Sequence, residues 1–268
     1  MVSPSHSDLQ PPYFTDGEQA WDAPPTPKLR RVSVNREYSL LTKCFAEFIG
    51  DLTFVFIGCM QAVQIGDGPT HAALAHGFTI FILVTAFGHI SGGHFNPAVS
   101  WAIAGAGKMP IWHLPFYVAS QLFGGFCGAM LVAAVLTPSQ YDASDGGATL
   151  LATDTFWWKG LIAEALATFF LVHTILISAA DSNSVILAPL AIGLTLSIDI
   201  YAVGEISSAS MNPARSLGPN IAGSIFLSKL PPNFWNFHYI YWAGPLAGST
   251  AALCLYKVFE AREDRFVQ

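Results

Sequence analysis

Long apolar segments, separated by shorter polar stretches, make up most of this chain. Six of them are each about as long as an α-helix must be to cross a bilayer, which is about 20 residues. They lie at about 41–62, 71–90, 112–136, 159–180, 185–204 and 238–258. Two further apolar stretches, at 96–107 and 212–224, are too short to cross. The pattern predicts an all-α integral membrane protein with six transmembrane helices and two re-entrant half-helices that are buried within protein.

The same tripeptide stands at the start of both short stretches. Asn96-Pro97-Ala98 recurs as Asn212-Pro213-Ala214, and Ala46-Glu47 recurs as Ala163-Glu164 at nearly the same separation. Asn is a favoured helix N-cap and Pro is favoured at the first helical position, so each tripeptide predicts the abrupt start of a helix. The chain therefore contains one unit twice.

Each repeat holds three spans and one half-helix, over 40–136 in the first and 159–258 in the second. Because three is an odd number, the second repeat enters the membrane from the opposite side. We expect an inverted three-helix repeat whose half-helices meet near the midplane, where their positive dipole ends face whatever passes between them.

Residues outside the spans indicate the domain boundaries and the orientation. Residues 1–39 are polar and rich in proline, so we expect a disordered tail, then a membrane domain at 40–260 and a short tail at 261–268. Lys and Arg are enriched in loops that stay in the cytoplasm. They occur in the first tail, at Lys108 and after the sixth span, whereas the connection 137–158 has none. Both termini are therefore predicted to be cytoplasmic.

Composition narrows the class of protein. Apolar residues make up 52% and charged residues 11% of the chain, and the mean hydropathy is +0.45, which exceeds what a soluble core requires. A net charge of −6, with no basic stripe on a helix face, argues against a nucleic-acid partner. The four cysteines lie in apolar segments without a CxxC pair, and the histidines lack metal-ligand spacing. Neither a disulfide nor a metal or other cofactor is expected.

Two glutamates, Glu47 and Glu164, lie inside apolar runs at equivalent places in the two repeats. An ionised carboxylate in such a run is costly unless it is hydrogen-bonded. The Gly- and Ser-rich loops before the half-helices carry backbone N–H groups that lack helical partners. We expect each glutamate to support one loop and to turn the loop carbonyl groups into a lumen. A role in a proton relay is the alternative.

Arg215 lies in the first turn of the second half-helix, where the helix dipole disfavours a cation. In a pore, a fixed cation beside a positive dipole end repels protons and other cations, which would explain this position. A salt bridge to Glu205 is the alternative. His94 precedes the first half-helix and is expected to line the opposite vestibule or to be a packing histidine.

The segments around the two tripeptides resemble the aquaporin (major intrinsic protein) family, in the sequences SGGHFNPAV at 91–99 and MNPARSLGP at 211–219. The two glutamates and WAGP at 242–245 agree with this resemblance, which covers nearly all of the expected membrane domain. The stretches ALAHG at 73–77 and NFHYIYW at 236–242 most resemble the aquaporin-eight branch, the ammonia-permeable aquaporins. The resemblance implies an aquaporin-like channel domain that assembles as a homotetramer with one pore per subunit.

Four side chains form the narrowest point in this family, and the motif offsets carry them over to His76, Ile200, Ala209 and Arg215. Strict water channels resemble one another in having Phe at the first position and His at the second. This chain differs at both, which argues against exclusive selectivity for water. A neutral His76 offers one donor and one acceptor to a solute. Glycerol channels usually have Asp after the Arg, where this chain has Ser216, so glycerol is disfavoured.

Together these features predict a passive channel, not an enzyme, for water and small neutral solutes. Ammonia and hydrogen peroxide are the expected solutes besides water, while protons and ions are excluded. Asn96 and Asn212 would donate hydrogen bonds near the midplane of the bilayer. Backbone carbonyl groups would form a ladder of acceptors at Gly92, Gly93, Ser208 and Ala209. The expected location is the plasma membrane, with an intracellular or mitochondrial membrane as the alternative.

Two other classes of protein remain open at this point. An ion-coupled secondary transporter with inverted repeats would use Glu47, Glu164 or Asp199 as coupling sites. A non-conducting junctional tetramer would use the same fold as an adhesive block. Osmotic swelling without an imposed ion gradient discriminates the channel from the transporter, and a junctional tetramer would leave the rate equal to that of control membranes.

Overall fold

The computed structural model describes residues 37–63, 69–181 and 186–266, so most of the expected tail at 1–39 lies outside the described residues. In these ranges the chain forms nine α-helices, joined by loops and short 3-10 turns. They are α1 (Leu40–Met60), α2 (Thr70–Ser91), α3 (Pro97–Gly105), α4 (Leu114–Val135), α5 (Pro138–Ala143), α6 (Trp157–Ile175), α7 (Ala188–Ser207), α8 (Pro213–Phe226) and α9 (Ile240–Phe266). A π-helical turn, Leu176–Ala180, continues α6.

Capping side chains determine where the helices begin. Ser39 caps α1 through its hydroxyl oxygen. The side-chain oxygen of Asn96 accepts the N–H of Ala98 at 2.8 Å. In the second repeat, that of Asn212 accepts the N–H of Ala214 at 2.9 Å. A proline follows each Asn at the first helical position, so the abrupt starts predicted for the half-helices α3 and α8 are confirmed.

Polar side chains are buried in the helix bundle, and large apolar ones are exposed on it. Glu47, Glu164 and Gln121 are fully buried, whereas Phe45 and Ile198 are 63% and 65% exposed. Water-soluble domains have the opposite distribution, because they bury apolar surface and leave charged groups in solvent. The arrangement suits a protein whose outer surface faces lipid.

Four helical segments are long and apolar enough to cross a membrane by length and composition. They are Thr70–Ser91, Ile111–Val135, Trp157–Ala180 and Ala188–Ser207. The helices α1 and α9, of 21 and 27 residues, also reach across a bilayer, since a helix rises about 1.5 Å per residue. They carry more charged residues, among them Lys43, Glu47 and Asp51 in α1. The chain thus has the six predicted spans and two half-helices.

The helices interlock across the two repeats. Within each repeat the first span packs on the third, α1 on α4 and α6 on α9, and α2 packs on α7 between repeats. Each half-helix contacts the third span of the other repeat, α3 on α9 and α8 on α4. A side chain at Gly124 or Gly128 would overlap backbone carbonyl groups of α1, so these glycines permit the close approach of α4.

The last helix is longer than predicted. The sixth apolar segment ends at about 258, but α9 continues to Phe266. No glycine or proline follows Gly248 within α9, and the Ala, Glu and Arg residues near its end favour a helix.

The connection at 137–158 also contains a helix, α5, that the apolar pattern alone does not predict. Thr137 caps it through a bond from the N–H of Gln140, and the side chain of Gln140 bonds back to the Thr137 backbone. This capping box, with Pro138 at the first helical position, is the sequence signal that identifies the helix.

Candidate functional site

The two half-helices meet at a pair of asparagines. Nδ2 of Asn96 donates to the carbonyl oxygen of Met211 at 2.8 Å. Nδ2 of Asn212 donates to the carbonyl oxygen of Phe95 at 2.7 Å. Each asparagine thus binds the loop that precedes the other, and these bonds use one of the two N–H groups that each side-chain amide carries. The N-termini of α3 and α8 bring their positive dipole ends to the same place.

Glu47, on α1, is the buried anchor of the loop before α3. Its Oε1 accepts from the Ser91 hydroxyl at 2.5 Å and the His94 N–H at 3.1 Å. Its Oε2 accepts from the Phe95 N–H at 2.7 Å and from Nε2 of Gln121 at 2.8 Å. These four bonds offset the cost of burying a carboxylate and fix the course of the loop.

Glu164, on α6, does the same for the loop before α8. Its Oε1 accepts from the Ser207 hydroxyl at 2.7 Å and from the Ser210 N–H at 2.9 Å. Its Oε2 accepts from the Met211 N–H at 2.7 Å. The two repeats therefore use the same donors, a serine hydroxyl and two successive backbone N–H groups, around the same carboxylate.

Both loops have left-handed backbone at equivalent positions. Positive φ angles occur at Gly92 (97°), Gly93 (66°), Phe95 (47°), Ser208 (66°), Ala209 (46°) and Met211 (54°). Glycine adopts this conformation readily, but for other residues it costs about 1–3 kcal/mol and persists only where the surroundings hold it. The bonds to Glu47 and Glu164 at Phe95 and Met211 provide that restraint.

A cavity of about 730 Å³ extends to the two asparagines from one side of the bundle. Its lining includes the predicted residues Gly92, Gly93, His94, Asn96 and Asn212, and towards the loops Lys43, His89, Lys108 and His113. Nδ1 of His94 lies 3.0 Å from the hydroxyl oxygen of Ser100, and the ring is 8% exposed. His94 is therefore both a packed side chain and part of the cavity lining.

A second cavity, of about 280 Å³, brings together all four side chains predicted for the constriction. Its lining includes His76, Ile200, Ala209 and Arg215, together with Gly147, Glu205 and Ser208. Asn212 lines the first cavity, while Ala209 and Arg215, close to it in sequence on either side, line the second. Residues distant in sequence thus surround the two cavities near the asparagines.

Arg215 is held by the connection between α5 and α6. Its Nη1 donates to the carbonyl oxygen of Gly147 at 2.9 Å and to the hydroxyl oxygen of Thr149 at 3.2 Å. In the described part of the chain these partners, and not a salt bridge to Glu205, hold the guanidinium. The thiol of Cys59 lies 3.6 Å from the same Gly147 oxygen.

The two ring nitrogens of His76 lie against Ala72 of α2 and Gly58 of α1. Its Nδ1 lies 2.7 Å from the carbonyl oxygen of Ala72, which only accepts, so Nδ1 carries the proton. Nε2 is buried, has no hydrogen-bond partner among the described residues and faces Gly58 of α1. The expectation that the ring offers both a donor and an acceptor to a solute is therefore wrong for this conformation.

Several residues of the site were missed by sequence reasoning. Ser91 and Ser207 recur at the same separation as the two asparagines, so the repeat could have identified them. Gln121 and Thr149 give no such signal, because neither residue type recurs at the equivalent position of the other repeat and both act through tertiary contacts.

The polar groups around the cavities are hydrogen-bond donors and acceptors. Within the described ranges no three His, Cys, Asp or Glu side chains are grouped so as to hold a metal ion. Asp199, the coupling site of the transporter alternative, is buried next to Ile200 on α7, and its Oδ2 has no partner in the described chain. Of the transporter's candidate coupling sites, Glu47 and Glu164 are bonded to loop donors, and Asp199 lies on α7.

The sequence pattern of the whole bundle matches a known family. The family model described as "Major intrinsic protein" matches residues 34–256. The chain belongs to the major intrinsic protein family. It is accordingly an integral, multi-pass membrane protein that forms a channel for water and small solutes, and it is not an enzyme.

Relatives of this major intrinsic protein include aquaporin-8 of Notomys alexis, 36% identical over 234 residues with 85% of each chain covered. Aquaporin-8 of Mus musculus is 38% identical over 208 residues, 76% of each chain. The resemblance to the aquaporin-eight branch is confirmed by these matches. The aquaglyceroporin from Plasmodium falciparum has a similar fold, with a TM-score of 0.69 at 21% identity over 81% of this chain and 96% of that one.

Proposed function

We propose that this major intrinsic protein conducts ammonia and hydrogen peroxide as well as water, and excludes protons and ions. The observation that carries the proposal is the lining of the second cavity by His76, Ile200, Ala209 and Arg215. The side chains of Ile200 and Ala209 offer no hydrogen bond. Of the His76 nitrogens, Nδ1 is bonded to Ala72 and Nε2 is buried without a partner among the described residues. The opening therefore lacks a second side-chain donor that would favour water over other small neutral solutes.

Arg215 is the donor that remains at the constriction. A guanidinium carries five N–H groups, and the bonds to Gly147 and Thr149 involve Nη1 alone. Its other N–H groups suit a small solute with a lone pair, as water, ammonia and hydrogen peroxide all have. The same fixed charge repels cations and protons, and it acts together with the dipole ends of α3 and α8.

At the midplane, the N–H groups of Asn96 and Asn212 orient each passing solute. The acceptor ladder runs along the two loops at Gly92, Gly93, Ser208 and Ala209, and His94 lines the wider vestibule. Glu47 and Glu164 support the ladder without entering the path, because both carboxylates are fully buried and bound to loop donors. Pro97, Ala98, Pro213 and Ala214 start the half-helices that aim the asparagines.

The channel domain, 40–260, is proposed to work as a homotetramer in the plasma membrane, with both termini in the cytoplasm. Lys43 and Lys108 lie at the same mouth, the outer part of the first cavity, and the excess of cations favours the cytoplasmic side for it. A tag at the N-terminus should be inaccessible to antibody in intact cells and accessible after permeabilisation. Labelling without permeabilisation would reverse the orientation.

Stopped-flow light scattering of vesicles containing the purified protein tests the conduction. With no ion gradient, vesicles should shrink faster than protein-free ones in a sucrose gradient, and ammonia and hydrogen peroxide should enter faster, as reported by an internal pH dye and an internal peroxidase. Fast water flux with control rates for both solutes would refute the solute choice. Transport only with an ion gradient would favour the coupled transporter, and control rates throughout would favour the junctional tetramer.

A further inference from the structure

The ring of His76 occupies a recess in the wall of the second cavity, formed by Phe54 and Gly58 of α1. The rings of Phe54 and His76 meet edge to face, with centroids 5.3 Å apart at an interplanar angle of 79°. The tip of the imidazole points at Gly58. His76 is only 5% exposed although it lines the cavity, so most of the ring is inside this recess.

The recess exists because residue 58 lacks a side chain. A Cβ built on Gly58 would overlap Nε2 of His76 and lie 2.9 Å from its Cδ2, closer than side-chain atoms approach in proteins. The backbone of α1 at this point is helical, so the glycine is not required by an unusual φ angle. Glycine at this position therefore leaves the space that the His76 ring occupies.

Contacts on two sides restrict the ring of His76. They are the hydrogen bond from Nδ1 to Ala72, one turn earlier on α2, and the packing against the ring of Phe54. A methyl group at residue 58 would fill the third side, and the ring would turn towards the cavity, opposite Ile200 and Arg215.

We propose that Gly58 is a specificity-determining position of this channel, because it holds the His76 ring against α1 and so sets the width of the constriction. Gly58 does not touch the solute and acts through His76, which makes it a positioning residue. The inference rests on the proposed role of the second cavity as the solute filter.

Four proteins test it: the unmodified chain, Gly58→Ala, His76→Ala and the double variant. In vesicles, Gly58→Ala should lower the ratio of hydrogen peroxide flux to water flux by about tenfold, the lower end of the effect of one extra methyl group in a close-fitting site. The double variant should match His76→Ala, because no ring is left to displace.

The double variant also covers the case in which Gly58→Ala folds poorly. A clash with the ring predicts that His76→Ala restores the yield and elution profile of Gly58→Ala, and an unrestored yield would overturn the inference. An unchanged flux ratio in Gly58→Ala would overturn it too. So would a fall caused by Gly58→Ala that is as large in the His76→Ala background as in the unmodified chain. If the unmodified chain conducts water but not peroxide, the proposed solute choice fails separately, and a His76-dependent change of water flux at Gly58→Ala still supports the positioning role.

Discussion

Asn96 and Asn212 each hold the loop that belongs to the other, through Nδ2 bonds of 2.8 and 2.7 Å to Met211 and Phe95. The same two side chains cap their own half-helices through their oxygens. Each amide therefore links the start of its own half-helix to the loop before the other half-helix, so that the two inverted halves hold one another where the half-helices meet.

Removing one of these side-chain amides should destabilise both repeats. We expect Asn212→Ala to lower the free energy of unfolding by about 2–4 kcal/mol, from a lost cap of about 1 kcal/mol and an unpaired buried carbonyl at Phe95 of about 1–3 kcal/mol. Denaturation with SDS in mixed micelles measures it. Asn236→Ala is the control, since this side chain is exposed and, among the described residues, its Nδ2 donates to Oδ1 of Asn233. Equal losses in the two variants would contradict the linkage.

Replacing a buried carboxylate by a neutral amide should destabilise the protein, because hydrogen bonds are lost as well as the charge. Glu164→Gln replaces one of the two acceptor oxygens by an NH₂ group, which then faces the N–H donor of either Ser210 or Met211. At least one buried donor loses its partner, which costs about 1–3 kcal/mol, and the left-handed loop that includes Met211 loses part of its restraint. We expect a fall in unfolding free energy of at least about 1 kcal/mol, the lower end of that range, together with reduced water flux.

Glu205→Gln is the matched control, because Glu205 is exposed and lies in the lining of the second cavity rather than under a loop. It should leave the unfolding free energy unchanged within about 0.5 kcal/mol. If Glu164→Gln and Glu205→Gln had the same unfolding free energy, the loop would be shown to keep its conformation without the carboxylate.

The two half-helices and their supporting glutamates could be predicted from the sequence, whereas most of the contacts made in one repeat alone could not. Asn96 and Asn212, with their following prolines, mark the half-helices through local capping chemistry that does not depend on tertiary contacts. Glu47 and Glu164 are recognisable because a lone carboxylate in an apolar run needs partners. Their placement beneath the loops follows from that need.

Contacts that only one repeat makes correspond to no repeated residues in the sequence. The acceptors of Arg215, Gly147 and Thr149, belong to a connection that has no counterpart, so its path is set by tertiary packing. The direction of the His76 ring depends on Gly58, on a different helix, and a glycine in an apolar helix carries no signal of what fills its space. The sequence thus predicted four side chains that line the second cavity, but not their orientation.

Proton exclusion should depend on the charge of Arg215. Arg215→Val should let protons or cations leak while water flow persists, because the dipole ends of α3 and α8 alone leave a weaker barrier. The rate of change of an internal pH dye under an imposed proton gradient measures the leak. Thr149→Val is the comparison: it removes one acceptor but keeps the cation, and should leak far less. A proton conductance that is unchanged in Arg215→Val would show that the dipoles suffice.

Block by mercurials should be weak and should act at Cys59. The loop before Asn212 has no thiol, its last residues being Ser208, Ala209, Ser210 and Met211. Cys59 is fully buried, which slows its reaction, yet its Sγ lies 3.6 Å from the Gly147 oxygen that holds Arg215. A mercury adduct there would displace that carbonyl. Residual block of water flux should disappear in Cys59→Ser and persist in Cys254→Ser, where the thiol is exposed on α9. Strong block that survives Cys59→Ser would reject this site.

Solute choice should follow the side chains at the first two constriction positions. His76→Phe combined with Ile200→His replaces the aliphatic wall by a donor and restores the pair typical of strict water channels in the family. A solute that must give up a hydrogen bond in the altered opening loses on the order of 1–3 kcal/mol, or roughly a factor of 5 to 150 in rate. We expect the ammonia and peroxide fluxes, each divided by the water flux, to fall by at least about fivefold, the lower limit of that range. The single variant Ile200→Val is the control, because it stays aliphatic and adds no donor. Equal flux ratios before and after the double exchange would mean that these two side chains do not select the solute, and that the selection lies with Arg215 and the two asparagines.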